Sequence, residues 1–123
     1  MVKKVGFVGV GTMGEPMAAN LLQAGFEVAV VAHRDRAPVE RLVAAGATEA
    51  GSIAELAGGV EALVSCVPDD DAVRAVMLGE GGVRAGAGEG LIVADTSTIS
   101  PRTSQQVAAA LAEGGVTMLD API

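Results

Sequence analysis

Short, continuous apolar runs alternate with segments of helical periodicity along the chain. The apolar runs predict buried strands, at residues 5–9, 28–32, 47–50, 62–67, 91–94 and 116–119. The segments between them predict helices, at residues 16–24, 38–45, 71–78 and 101–113, with a short one after Ser52. Strands that are apolar throughout and separated by helices are typical of a parallel sheet covered on both faces. With right-handed crossovers, the pattern predicts an α/β fold with a doubly wound, mostly parallel sheet of about six strands.

Residues at the ends of the predicted helices support these boundaries. Gly25 and Gly46 follow two helices, where a glycine often ends the helix. Ser52 begins a Ser-x-x-Glu capping box, and Ser100 is expected to cap the helix that starts at the next residue. The segment 79–90 contains six glycines and leads into a strand rather than a helix. We therefore expect a surface connection there and not a phosphate-binding loop.

A glycine motif connects the first strand to the first helix. Residues 9–14 read Gly-Val-Gly-Thr-Met-Gly, which is G-x-G-x-x-G in the strand–turn–helix context that a dinucleotide-binding motif requires. Gly9 would allow the tight turn, Gly11 would leave room for a pyrophosphate, and Gly14 would let the helix pack closely on the strand. This spacing disfavours a plain glycine-rich turn. The sequence predicts a Rossmann-like dinucleotide-binding domain over residues 1–123.

The turn after the second strand, residues 32–36, is expected to face the adenosine ribose. An acidic residue there favours NAD and an arginine favours NADP. Arg34 and Arg36 flank Asp35, and His33 is expected to be a turn residue or a neighbour of the adenine. NADP is therefore the favoured cofactor. NAD stays open because Asp35 lies where a ribose-binding acid can sit, and a solvated charged turn is the further alternative.

Two polar clusters follow later strands. The acids at 69–71 come just before a predicted helix, where the helix dipole favours them, and the spacing around them does not indicate a metal site. The hydroxyls at 96–98 follow the fifth strand at the sheet edge where ligands bind in open α/β folds. Ser97 is the candidate for binding the substrate. Cys66 ends a buried strand and is expected to be a core residue.

Composition excludes several classes of function. The chain has 123 residues, 2% aromatic residues and a net charge of −7, which argues against nucleic acids and anionic membranes as partners. No apolar run reaches the roughly 18 residues needed to cross a bilayer. A single cysteine excludes an internal disulfide and suggests a cytoplasmic location. Lysine occurs only at Lys3 and Lys4.

The stretch 6–21 resembles the opening of the β-hydroxyacid dehydrogenases, a family that includes 3-hydroxyisobutyrate dehydrogenase, tartronate semialdehyde reductase and 6-phosphogluconate dehydrogenase. Four further motifs agree in order and spacing: Ala-Gly-Ala at 45–47, Val-Pro-Asp at 67–69, Asp-Thr-Ser-Thr-Ile-Ser-Pro at 95–101 and Leu-Asp-Ala-Pro at 119–122. The resemblance covers the whole chain. It implies an oxidoreductase that transfers a hydride between a nicotinamide cofactor and a small 3-hydroxy acid or semialdehyde.

The same resemblance assigns cofactor-binding residues. It implies that Val67 and Pro68 line the cofactor groove and that Thr98 contacts the nicotinamide end. The pyrophosphate would be held by the glycine-motif residues Gly9, Gly11, Thr12, Met13 and Gly14.

The family's catalytic lysine lies on a helical second domain, and its Asp-Ala-Pro motif continues into a Ser-Gly pair beyond Ile123. We therefore expect a chain that binds cofactor without turnover, holds no catalytic residue and no metal, and forms a homo-oligomer only within the full-length enzyme. Two alternatives stay open. One is a stand-alone nucleotide-sensing or regulatory module, and the other is the cofactor domain of an imine reductase.

Overall fold

The computed structural model of the chain describes residues 3–9, 14–31 and 36–120. Within these residues the predicted strands and helices are confirmed, with ends shifted by one or two residues. The strands are β1 (Lys4–Val8), β2 (Glu27–Val31), β3 (Thr48–Ala50), β4 (Ala62–Ser65), β5 (Ile92–Asp95) and β6 (Thr117–Asp120). The helices are α1 (Gly14–Gln23), α2 (Ala37–Ala44), α3 (Ile53–Gly58), α4 (Asp70–Leu78), α5 (Val83–Gly86) and α6 (Pro101–Ala112).

The six strands form one parallel sheet in the order β3-β2-β1-β4-β5-β6. The chain builds the sheet outward from β1 in one direction and then returns to build from β4 in the other. The doubly wound Rossmann-like fold is therefore confirmed. Between β1 and β4 the direction reverses, and in such sheets a crevice opens there at the carboxyl ends of the strands.

Two hydrophobic clusters pack on the sheet. One includes Phe7 and Val30 from the sheet together with Leu42 of α2. The other includes Leu63 from the sheet, Met77 of α4 and residues of α3, α5 and α6. Burying each of these large side chains contributes about 1.5–3 kcal/mol before the entropy cost of ordering it. The helices that carry the site are thus held against both halves of the sheet.

Local capping residues determine where the helices begin and end. Ser52 and Ser100 accept hydrogen bonds from the backbone three residues ahead, as the sequence predicted. Gly25 follows α1, and the Phe26 N–H donates to the Leu21 carbonyl across the turn. Gly46 follows α2 in the same arrangement. These capped ends fix the lengths of α1 and α2, and with them the entry into β2 and β3.

The expectation for residues 79–90 was wrong in part. Residues 83–86 form the short helix α5, and the Val83 side chain is fully buried in the core. Gly86 lies against the carbonyl of Ala54 with no space for a Cβ atom. Val83 therefore anchors this connection in the core, and Gly86 allows the backbones of α5 and α3 to approach closely.

One face of the second half of the sheet is apolar and exposed. Side chains alternate between the faces along a strand. Leu63 and Val93 point into the core, whereas Ile92 and Leu119 belong to the opposite face and are 41% and 53% exposed.

No helix in the described part of the chain is long and apolar enough to span a membrane.

Candidate functional site

A groove of about 660 Å³ lies at the crevice where the strand order reverses. The carboxyl ends of β1, β2 and β4 form its floor, and α3 and α4 contribute to its walls. Its surface is mostly apolar, as is usual for a small-molecule site. The lining residues are Val8, Gly9, Val31, Ile53, Cys66, Val67, Pro68, Asp69, Ala72, Ala75 and Val76.

Gly9 meets two constraints that no other residue satisfies well. Its φ angle is +88°, in the left-handed region that favours glycine. A Cβ atom at this position would collide with the carbonyl oxygen of Cys66. The close approach arises because the Cys66 N–H donates to the Val8 carbonyl at 3.0 Å, which carries the β1–β4 pairing to the edge of the groove. Gly9 thus allows the loop after β1 to pack on the loop after β4, and it is one of the residues that line the groove.

The rest of the glycine motif is described only at its far end. Gly14 is the buried first residue of α1, so this helix begins at the last residue of the motif. Gly11, Thr12 and Met13 lie outside the described residues, so their contacts with cofactor stay a prediction.

Arg36, one of the predicted ribose-site residues, is engaged elsewhere in the protein. Its two terminal nitrogens donate to the two carboxylate oxygens of Glu49 on β3, both at 2.9 Å. These bonds hold the pKa of Glu49 below its usual range. To bind a phosphate, Arg36 would first have to release Glu49. His33 and Arg34 lie outside the described residues.

A buried hydrogen-bond network joins the ends of β4 and β5. Asp95 is fully buried, and its Oδ1 accepts from the Ser65 hydroxyl at 3.0 Å and from the Ser97 N–H at 3.1 Å. The Ser97 hydroxyl oxygen in turn accepts from the Val67 N–H at 2.8 Å. Ser97 is only 2% exposed, which favours a role in holding the groove backbone over direct contact with substrate.

Thr98 is exposed, and contacts of the residues on both sides of it hold the loop in place. On one side, the Thr96 N–H and hydroxyl both donate to the Ser65 carbonyl at 2.8 Å. On the other side, Ile99 packs on the core and Ser100 caps α6. Thr98 itself is exposed, and no partner holds its hydroxyl among the residues that the structure describes. The loop is thus fixed while this hydroxyl is available to a ligand.

The three acids at 69–71 have three different environments. Asp69 caps α4, accepting from the Ala72 N–H at 2.8 Å, which matches the helix-start interpretation of this cluster. The Asp71 side chain is 98% exposed. Asp70 faces α6, where hydrogen bonds from Thr103 and Ser100 hold its pKa below the usual range. The sequence did not indicate this contact, because its partners lie about 30 residues away.

Cys66 is not the core residue that the sequence suggested. It is half-buried and lines the groove directly after β4. The apolar strand ends at Ser65, so Cys66 already belongs to the loop that borders the site.

The fold and the groove together define a Rossmann-like dinucleotide-binding domain. The family model for the NAD-binding domain of 6-phosphogluconate dehydrogenase matches residues 4–123. The chain therefore belongs to this family, as an NAD-binding domain of the hydroxyacid dehydrogenase type.

Two curated relatives come from Pseudomonas aeruginosa. The chain is 43% identical to a 3-hydroxyisobutyrate dehydrogenase over 120 residues, which are 97% of this chain and 40% of the relative. It is 38% identical to an NAD-dependent L-serine dehydrogenase over 122 residues, which are 99% of this chain and 41% of the relative. The chain thus spans less than half the length of these relatives.

Solved structures share the fold closely. A 3-hydroxyisobutyrate dehydrogenase from Salmonella typhimurium superposes with a TM-score of 0.88 at 38% identity, over 97% of this chain and 41% of that one. Psf3 in complex with NADP+ and 2-OPP gives 0.87 at 33% identity, over 96% and 42%. An imine reductase from Streptomyces aurantiacus gives 0.81 at 29% identity, over 94% and 39%.

Proposed function

We propose that this chain is the cofactor-binding part of an NAD(P)-dependent oxidoreductase that acts on a small 3-hydroxy acid or semialdehyde. The observation that carries the proposal is the mostly apolar groove at the β1–β4 crevice, whose lining includes Gly9, the first residue of the glycine motif. The relatives named 3-hydroxyisobutyrate dehydrogenase support the substrate class. A bound nicotinamide dinucleotide supplies or accepts the hydride.

The residues of this chain would bind and orient the cofactor rather than carry out proton transfer. The start of α1, which follows the glycine motif, offers free backbone N–H groups to the pyrophosphate. The apolar side chains of Val31, Ile53 and Val76 suit the adenosine half. Val67 and Pro68 would border the nicotinamide half, with the Thr98 hydroxyl as the polar contact at that end.

NADP stays the favoured cofactor in this proposal, with Arg34 as the residue that binds the 2′-phosphate. Arg36 is the weaker candidate because Glu49 already occupies its guanidinium. Relatives support both cofactors, since one is named an NAD-dependent dehydrogenase and one structure holds NADP+. The choice therefore rests on the turn at 32–36.

We further propose that catalysis requires a second, helical domain, as the resemblance to the family implies. The chain's lysines, Lys3 and Lys4, lie at the amino end of β1. The groove lies at the opposite edge of the sheet, so neither lysine is placed to transfer a proton there. The second domain would also supply most of the homo-oligomer contact.

The cytoplasmic location stays a prediction from the single cysteine.

Two alternative functions, an imine reductase and a nucleotide-sensing module, share cofactor binding with this proposal. They differ from it in the chemistry that takes place outside this groove. The imine reductase structure supports a second candidate reaction, because its cofactor domain has the same fold. A nucleotide-sensing module would bind the dinucleotide without any reaction. The exposed hydroxyl of Thr98 favours an oxidoreductase, because a sensor does not need an available hydroxyl at the nicotinamide end.

Cofactor binding is tested by placing a side chain in the glycine motif. Gly11→Val should abolish binding of NAD+ and NADP+ in calorimetry while the thermal melt stays close to wild type, because the valine fills the space that the pyrophosphate needs. Gly88→Val is the matched control, since a Cβ atom there has no neighbour within 4 Å. Unchanged affinity in the Gly11 variant would show that the assignment is wrong.

A further inference from the structure

Asp70 connects the two loops that border the proposed nicotinamide end of the groove. It is the first residue of α4, two positions after Pro68. Ser100, its partner, caps α6 and stands two positions after Thr98. One side chain thus links the loop after β4 to the loop after β5.

Both carboxylate oxygens of Asp70 take part in this link. Oδ1 accepts from the Ser100 N–H at 3.2 Å. Oδ2 accepts from the Ser100 hydroxyl at 2.9 Å and from the Thr103 hydroxyl at 2.8 Å. Hydrogen bonds to a charged acceptor are stronger than neutral ones. We refer to Asp70, Ser100 and Thr103 as the Asp70 clasp.

The Asp70 clasp holds the loop after β5, and a second bond holds the same loop closer to the sheet. Ser97 accepts a hydrogen bond from the Val67 N–H, and this bond joins the same two loops closer to the sheet. Thr98 lies between Ser97 and Ser100, so cross-loop bonds fix the chain on both sides of it. Removing the Asp70 carboxylate would leave the outer side of the Thr98 loop held by the core contact of Ile99 and by the cap that Ser100 forms on α6, without a described bond to the loop after β4.

We propose that Asp70 is a positioning residue for the nicotinamide half of the cofactor. By holding Ser100, it sets the Thr98 hydroxyl at a fixed place relative to Val67 and Pro68. A contact that is already ordered before binding costs less conformational entropy when the ligand arrives. The inference rests on the proposed function and concerns only the nicotinamide end, because the adenosine half lies along the other side of the groove.

The experiment compares NAD+ with ADP-ribose, which lacks the nicotinamide, by calorimetry on this chain. Asp70→Asn should weaken NAD+ binding by about three- to tenfold, in line with the loss of one or two hydrogen bonds. Its effect on ADP-ribose should be less than about twofold on the same scale. Asp71→Asn is the matched control, because it removes the same charge from a neighbour whose side chain is 98% exposed and whose ion pair with Arg74 is long, at 3.8 Å.

A double-mutant cycle tests whether Asp70 acts through Thr98. Thr98→Val should weaken NAD+ about as much as Asp70→Asn, and the two changes together should cost little more than either alone. Additive losses would overturn the inference. Asp70→Ser is the second variant if Asp70→Asn does not fold, since serine is tolerated at the start of a helix and has a shorter side chain.

The remaining outcomes separate the two proposals. Equal losses on NAD+ and ADP-ribose in Asp70→Asn would show a merely structural role and overturn the inference. Equal affinities of the wild-type chain for the two ligands would overturn it as well, because the nicotinamide half would then make no net contact. Failure of the wild-type chain to bind NAD+, NADP+ and ADP-ribose alike would instead refute the proposed function.

Discussion

Charged side chains near the groove differ in whether they are available to a ligand. Arg36 forms a two-bonded pair with Glu49, and Arg41 forms a similar pair with Glu15 between α2 and α1. An arginine that already has a carboxylate partner offers little net charge to a phosphate. We therefore expect Arg36 to contribute little to cofactor preference, which the sequence alone did not indicate.

Substitutions at the two arginines should have unequal effects. Arg34→Ala should lower NADP+ affinity by about ten- to a hundredfold at low salt and leave NAD+ nearly unchanged, because it removes a charge-assisted contact to the 2′-phosphate. Arg36→Ala should change the NADP+ to NAD+ ratio by less than about threefold. Calorimetric titration with both cofactors measures these ratios. Equal affinities of wild type for the two cofactors would show that Asp35 binds the ribose instead.

Glu49 supplies the complementary test. Glu49→Gln should raise NADP+ affinity relative to NAD+ by a few-fold, since it removes a negative charge and leaves the Arg36 guanidinium with only the longer 3.9 Å pair to Glu40 as a described ion pair. Glu27→Gln removes the same charge from an exposed position at the amino end of β2 and should leave the ratio unchanged. A Glu49 variant that behaves like the Glu27 variant would show that Arg36 does not reach the phosphate.

Helices α4 and α6 are joined at their amino ends by side chains rather than by the sheet alone. Asp70 at the start of α4 accepts three hydrogen bonds from residues at the start of α6. Arg74, one turn further along α4, donates to the Thr103 hydroxyl at 3.0 Å. The two helices therefore carry the loops of the site as one unit, and this unit should respond to pH.

The pH response follows from the lowered pKa of Asp70. A carboxyl whose pKa is lower in the folded state stabilises the protein above its unfolded pKa, near 3.9, and this contribution is lost as the pH falls through the folded pKa. Asp70→Asn should thus be less stable than wild type at neutral pH, and the difference should shrink on acidification below about pH 4. Urea unfolding of both proteins at several pH values measures it. A difference that does not change with pH would contradict a role for the ionised carboxylate.

At the scale of the whole molecule, the two halves of the sheet are covered differently. Helices α1 and α2 pack on β1 to β3, whereas Ile92 and Leu119 leave an apolar exposed surface on β4 to β6. This exposed surface agrees with the proposed cofactor domain that works beside a further domain.

The chain should bind cofactor without measurable turnover. General acid–base catalysis contributes roughly 10²–10⁴-fold, and no lysine of this chain is placed at the groove. The assay is NADPH oxidation with a small semialdehyde, with calorimetry on the same sample to show that cofactor binds. Steady oxidation at rates typical of an enzyme would refute the need for a second domain.

The amino-acid sequence by itself determined the doubly wound fold and the position of the glycine motif. Both depend on local signals, because apolar runs, helical periodicity and capping residues act over a few neighbouring positions. Gly25, Gly46, Ser52 and Ser100 all serve the helix ends that their local pattern predicted. Family resemblance then pointed to the residues around the groove.

Only the tertiary structure decided which side chains meet. Asp70 contacts Ser100, and Arg36 contacts Glu49, because the parallel sheet brings separate loops to the same edge. Val83 is buried because α5 packs on α3, although the sequence predicts a surface connection there. Such contacts depend on the three-dimensional arrangement of distant segments. Residue type and spacing do not encode that arrangement locally.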